Sequence, residues 1–115
     1  MRDERFVVSR IVSELMTFFF AMNAHTFQAH VVKNEKQHAI TIESDYEGDQ
    51  DNKIREMTRL LRMPRAREME NYSWSLSGDI STGQEIYLVG ILTDTVSVEH
   101  DGEAKTVRIV LTREL

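Results

Sequence analysis

Cysteine is missing from all 115 residues, which removes disulfides, thiolate catalysis and cysteine-ligated zinc from consideration. Proline occurs once, at Pro64, and glycine five times, with no low-complexity tract or visible repeat, so nothing in the composition marks a linker. A chain of this length holds one core of ordinary size, and residues 1–115 are expected to fold as a single domain. Basic charge is scarce: 14 Lys and Arg stand against 19 Asp and Glu, a formal net charge of −5. Phosphate contacts would have to form against that field, which argues against a general nucleic-acid or anionic-membrane binder. A long apolar run is also lacking, because Arg10, Ser13 and Glu14 interrupt "MRDERFVVSRIVSELMTFFFAM". That segment is neither a signal-peptide core nor a span of about 20 apolar residues, and a cytoplasmic location is expected. Hydrophobic residues at 41% and charged residues at 29% place the chain among ordinary globular domains and away from the disordered class.

The apolar pattern supplies the architecture. Val8, Ile11, Val12, Leu15, Phe18, Phe19 and Met22 recur at helical spacing and predict a first helix from about Arg5 to Met22. The period then changes to two, with Phe27, Ala29 and Val31 before the polar "NEKQ" and Ile40 and Ile42 after it. That is a β-hairpin, and a turn at Asn34–Lys36 sets His30 opposite Ile40 and His38 opposite Val32. "ESDYEGDQDN" reads as a loop ending in helix-capping residues. Ile54, Met57, Leu60 and Leu61 give a second helix from Asp51, which Pro64 ends or kinks before "RAREMENYSW" resumes helical spacing. "SLSGDISTGQ" is loop-like. "EIYLVGIL" suits a buried strand or a helix, and Gly90 costs a helix roughly 1 kcal/mol. Val96 and Val98, a turn around "HDGEA", and Val107, Ile109 and Leu111 form a second hairpin. This order predicts an α+β two-layer sandwich, a mainly antiparallel sheet of two hairpins with the helices on one face.

Two segments carry a family likeness. "SELMTFFFAMNAHTFQAHVVKNEKQHAITIESD" is similar to a motif-bearing helix and the hairpin after it, and "STGQEIYLVGILTDTVSVEHDGEAKTVRIVLTREL" to a glycine-bearing loop, a helix and a closing pair of strands. Together they resemble, in order and over more than half of the chain, the ATP-binding domain shared by histidine kinases and anti-sigma-factor serine kinases, the Bergerat-type fold. The resemblance implies that "EIYLVGIL" is a helix packed on the sheet. In the family's first motif a Glu is the general base and an Asn four residues later helps hold Mg²⁺. Glu14 takes the first position and Phe18 the second.

A phenyl ring has no oxygen for a hard cation, so that metal site is expected to be absent. The adenine-reading motif, an Asp with Gly two residues on, becomes "IESDYEG", with Ser44 or Asp45 at the acid position and Tyr46 or Glu47 in place of Gly. The glycine-rich phosphate loop keeps Gly83 but places Glu85 where a second glycine belongs, setting negative charge beside the phosphates. Each departure opposes Mg²⁺-ATP binding. What the resemblance then implies is a degenerate member without cofactor, whose cleft survives as Glu14, Phe18, Asp45, Gly83 and Glu85, with Phe18 as apolar filling.

The remaining candidates are weaker. His25, His30, His38 and His100 show no His-x-x-x-His spacing, and structural histidines are expected rather than metal ligands. Glu43, Asp45, Glu47, Asp49 and Asp51 alternate like a calcium loop but lack its glycine and terminal Glu, so a solvated loop is expected. Arg55, Arg59 and Arg62 fall at i, i+4 and i+7 of the second helix and share a face, either for an acidic or phosphate-bearing partner or for pairing with the acidic loop. Tyr72 and Trp74 are of an interface-prone type. No serine or threonine has a base placed beside it. The function expected is a small, non-catalytic regulatory domain that acts on a protein partner, with homodimerisation implied by the resemblance. One alternative is a divergent nucleotide-binding serine kinase with Glu14 as base and Asp45 or Asp94 in new roles. Another is an anion-binding module using the Arg55, Arg59 and Arg62 face.

Overall fold

The computed structural model describes residues 3–63, 65 and 85–115. "SLSGDISTGQ", Gly83, Tyr72, Trp74 and all of "RAREMENYSW" except Arg65 lie outside them. Helix α1 spans Glu4–Ala21, opened by Asp3, whose carboxylate accepts the Arg5 backbone N–H at 2.9 Å. Val7, Ile11, Leu15 and Phe19, each one turn from the next, are fully buried and form the stripe that drives docking. Val8, Val12 and Phe18 flank that stripe and are half-buried. The helix stops at Asn23, whose φ of 62° is left-handed. Ala24 N–H then donates to Phe19 O at 3.2 Å and Asn23 N–H to Phe20 O at 3.0 Å, which satisfies the last carbonyls in a Schellman arrangement.

Strands β1 (Phe27–Lys33), β2 (Gln37–Asp45), β3 (Thr95–Asp101) and β4 (Thr106–Glu114) form one antiparallel sheet in the order β1-β2-β4-β3. The two predicted hairpins thus join through their second strands. In the first hairpin His30 faces Thr41 and His38 faces Lys33, one residue away from the predicted register. The turn is closed by an Asn34 N–H to Gln37 O bond, while the Asn34 side chain accepts the N–H groups of Lys36 and Gln37. This register also puts Val31 opposite Ile40 and Ala29 opposite Ile42. A one-residue slip would have set the apolar set of one strand against the polar set of the other.

The helices cover the sheet face carrying Ile40, Ile42, Val107, Ile109 and Leu111, all buried. The other face is open and polar, with Arg108 on β4 reaching Glu43 on β2 at 3.2 Å and Glu99 on β3 at 3.8 Å. Helix α2 (Asp51–Leu61) buries Ile54, Met57 and Leu61. "EIYLVGIL" forms helix α3 (Ile86–Ile91), packed against both α1 and α2. Gly90 has a packing reason: a Cβ there would lie 2.4 Å from Leu60 O, so only glycine lets α3 approach the backbone of α2 so closely. "ESDYEGDQDN" is only partly a loop, because β2 continues through Asp45 opposite Thr106 and Tyr46 is buried in the core. The chain is therefore α+β, with three helices on one face of a four-stranded antiparallel sheet among the described residues. No described helix is long and apolar enough to cross a membrane.

Candidate functional site

Arg10 and Glu14 stand one turn apart on the buried side of α1, where the start of α3 packs against it. Arg10 Nε donates to Glu14 Oε2 at 3.1 Å, and its Nη2 donates to Glu85 Oε2 at 2.7 Å. Glu14 is completely buried, and its Oε1 accepts no hydrogen bond among the described residues. Burial raises the Glu14 carboxyl above its ordinary range, Arg10 opposes that shift, and the neighbouring Glu85 carboxylate reinforces it. Two of the cleft residues expected from the sequence, Glu14 and Glu85, are thus brought together by an arginine that sequence reading had not singled out. Arg10 falls at i−4 from Glu14, the spacing of a helical ion pair, and that was the available signal.

Phe18, one turn beyond Glu14, is half-buried and meets Phe19 edge-on with ring centroids 5.3 Å apart at 87°. Its ring offers Mg²⁺ no oxygen, and the Glu14 carboxylate is enclosed against a guanidinium, so this pair does not fit a metal-nucleotide. Asp45 is engaged elsewhere. Its Oδ1 accepts the backbone N–H groups of His25 at 2.7 Å and Thr26 at 3.0 Å, tying the α1–β1 connection to the end of β2. The Thr26 hydrogen bond holds its carboxyl below the ordinary range, with His25 adding to the effect. Asp94 is likewise committed to structure, accepting Arg65 at 2.7 Å and the Glu114 N–H at 2.6 Å.

The histidines are dispersed. His25 pairs with Glu47, which raises its pKa, and His30 is exposed on the open face. His38 is buried 3.7 Å from Glu4, and His100 Nε2 meets the Tyr46 hydroxyl at 2.6 Å. Among the described residues no three His, Asp or Glu side chains converge on a metal position. Buried Arg113, another residue missed from sequence, holds the carboxylate of Glu4 at 2.7 Å and Leu92 O at 2.8 Å, clamping the start of α1 to β4. Arg113 is in phase with Val107, Ile109 and Leu111 on β4, so the alternation that buries those three was the available signal.

Arg55, Arg59 and Arg62 are all exposed on α2. Arg59 pairs with Glu56, and Arg55 donates to Asn52 at 3.3 Å, so the partners found lie on the helix itself and not in the acidic loop. Between α2 and β3 runs a groove of about 400 Å³, lined by Ile54, Arg55 and Thr58 on one side and Val98, His100 and Gly102 on the other. No sequence motif announced it, since it exists only where the two elements pass side by side. The chain matches no family model, no curated protein and no solved structure.

Proposed function

We propose that the chain is a small, non-catalytic regulatory domain that acts through protein contacts, built on a degenerate histidine-kinase-like ATPase fold and working in the cytoplasm without a cofactor. One observation carries the reading: the carboxylate at the position of the family's general base, Glu14, is fully buried and locked to Arg10, which also holds Glu85. A base must reach the proton it takes, and a carboxylate enclosed against a guanidinium is poorly placed to do so. Phe18 packing on Phe19 at the Mg²⁺-ligand position supports the same reading.

A ligand that binds only the folded state raises apparent stability by mass action. Thermal denaturation with ATP, ADP and Mg²⁺ at millimolar concentration is therefore expected to leave the midpoint unchanged. A clear Mg²⁺-dependent rise would replace this reading with that of a divergent nucleotide-binding serine kinase.

A further inference from the structure

We propose that β1 pairs with β1 of a second copy of this chain, antiparallel about a two-fold axis at His30, so that two four-stranded sheets become one continuous sheet. The proposal goes beyond the regulatory reading and does not rest on it.

β1 is an edge of the sheet, with β2 its sole neighbour among the described residues. An edge strand presents unpaired backbone donors and acceptors, which proteins commonly blunt with charge, proline or a bulge. From Phe27 to Val32 there is none of these: the pairing with β2 is unbroken over seven residues, and the one charge, Lys33, lies at the end. The other edge, β3, carries Glu99 and Asp101. At one end of the β1–β2 ladder Asp45 N–H donates to Thr26 O, and at the other Asn34 N–H donates to Gln37 O, so the even-numbered residues of this segment bond toward β2. Phe27, Ala29, Val31 and Lys33 therefore turn their N–H and C=O groups outward.

The two ends of the strand differ in a way that a second copy complements. Helix α1 crosses the sheet at a slant: Glu4 at its start is held by Arg113 on β4 at 2.7 Å, while Phe19 and Phe20 at its end meet Phe27 on β1 with ring centroids 6.3 and 6.2 Å apart. β1 beyond Phe27 is left uncovered. Every residue from Gln28 to Lys33 is exposed, including Ala29 and Val31 on the helix side, opposite Ile42 and Ile40. One end thus has surplus aromatic surface, with Phe20 51% exposed, and the other a bare aliphatic one, with Val31 42% exposed.

Antiparallel self-pairing brings each end onto its complement. With His30 opposite His30, all seven residues of each strand find a partner: Phe27 with Lys33, Gln28 with Val32 and Ala29 with Val31. The outward-facing residues fall opposite one another and can exchange about eight main-chain hydrogen bonds. The Phe20 and Phe27 rings of one copy come over Val31 of the other, twice by symmetry. The two Lys33 positions end about 20 Å apart, so the strand's only charge meets no like charge.

The chain has no cysteine, so a single introduced one tests the axis. Residues opposite each other at a non-hydrogen-bonded position have Cα atoms about 4.5 Å apart, within disulfide range. His30→Cys is therefore expected to give a disulfide-linked dimer in oxidised glutathione, read by non-reducing gel electrophoresis. Val32→Cys should not, because its two positions lie about 13 Å apart. Sedimentation equilibrium of the wild-type chain over a concentration series should show a reversible dimer, with its dissociation constant raised at least tenfold by Val31→Lys and by Ala29→Pro. The Ala29 N–H points outward, so proline there removes bonds of the dimer and none of the β1–β2 ladder. Both variants should keep the wild-type far-UV circular dichroism, and Val31→Lys alone serves if Ala29→Pro does not. Amide hydrogen exchange at Ala29 and Val31 should be slow in the wild type and fast in Val31→Lys. A chain that stays monomeric, equal cross-linking through positions 30 and 32, a dimer unaffected by Val31→Lys, or an open series of larger species from β1 pairing with β3 would each overturn the proposal. The nucleotide titration is a separate matter: a Mg²⁺-ATP shift refutes the non-catalytic reading and leaves the dimer standing, and a monomer refutes this interface alone.

Discussion

Replacing Arg10 with leucine should be among the most damaging changes to this fold, and the damage should depend on pH in a defined direction. The substitution leaves Glu14 fully buried with neither carboxylate oxygen compensated by a cation. Breaking a buried pair by removing one partner typically costs about 3–5 kcal/mol. Glu85 also loses its partner but is partly exposed, and contributes little. Glu14 already has a raised pKa in the intact protein, and without Arg10 it should rise further, because the removed guanidinium lowers it. A carboxyl whose folded pKa lies above its unfolded value contributes stability below the unfolded value, lost as pH rises through the folded one. The penalty in Arg10→Leu should therefore be largest near pH 7 and shrink as the solution is acidified toward pH 5, by about 1.4 kcal/mol for each unit of additional shift traversed. In Arg10→Leu/Glu14→Leu the uncompensated charge is gone, and stability should recover to within about 1–2 kcal/mol of wild type or exceed it. Urea unfolding of the two variants and wild type at pH 7 and pH 5 measures all of this. A single-variant loss below about 1 kcal/mol at pH 7, or a loss equal at both pH values, would refute a buried, charge-compensated Glu14.

Gly90→Ala should lower the unfolding midpoint despite alanine's better helix propensity, because its Cβ meets Leu60 O at 2.4 Å; separating α3 from α2 is expected to cost about 2–3 kcal/mol against roughly 1 kcal/mol of propensity gained, and a neutral or stabilising result in urea would rule out the close approach. Phe18→Asn is expected to destabilise by about 1–3 kcal/mol through loss of the edge-on contact with Phe19, and unchanged stability would remove Phe18 as apolar filling of the α1 surface. Tyr46→Phe keeps the buried ring but removes the hydroxyl bonded to His100, for an expected loss of about 1 kcal/mol in chemical denaturation. On the acid side, Glu4 and Asp45 have pKa values lowered by Arg113 and by the Thr26 backbone N–H respectively, and Asp3 is held at about 2. Their contribution is present above the ordinary carboxylate range and lost as pH falls through the lowered values, so unfolding midpoints recorded from pH 5 down to pH 2 should decline, with Glu4 contributing more than the solvent-screened Asp3 and Asp45.

Local physics made most of the fold legible in the chain. Helical spacing in α1, period-two alternation in both hairpins and the polar turns between them depend on neighbours a few residues away. The order helix, hairpin, helix, hairpin is enough to put the helices on one side of an antiparallel sheet. The missing oxygen at Phe18 was equally plain, since a residue's chemistry does not depend on its surroundings. Other features belong to contacts between residues distant in sequence. "EIYLVGIL" has no period of its own, and becomes a buried helix because α1 and α2 enclose it and Gly90 admits the Leu60 carbonyl. The hairpin register turned on the Asn34 side chain and on matching Val31 with Ile40 across the strands. Asp45, read as a possible nucleotide contact, has its carboxylate occupied by two backbone N–H groups some 20 residues earlier in the chain. Composition determined what this protein lacks, and periodicity determined its elements. Only tertiary packing decided that Glu14 is enclosed by Arg10 and that α2 opens a groove beside β3, because burial and adjacency arise when distant segments meet.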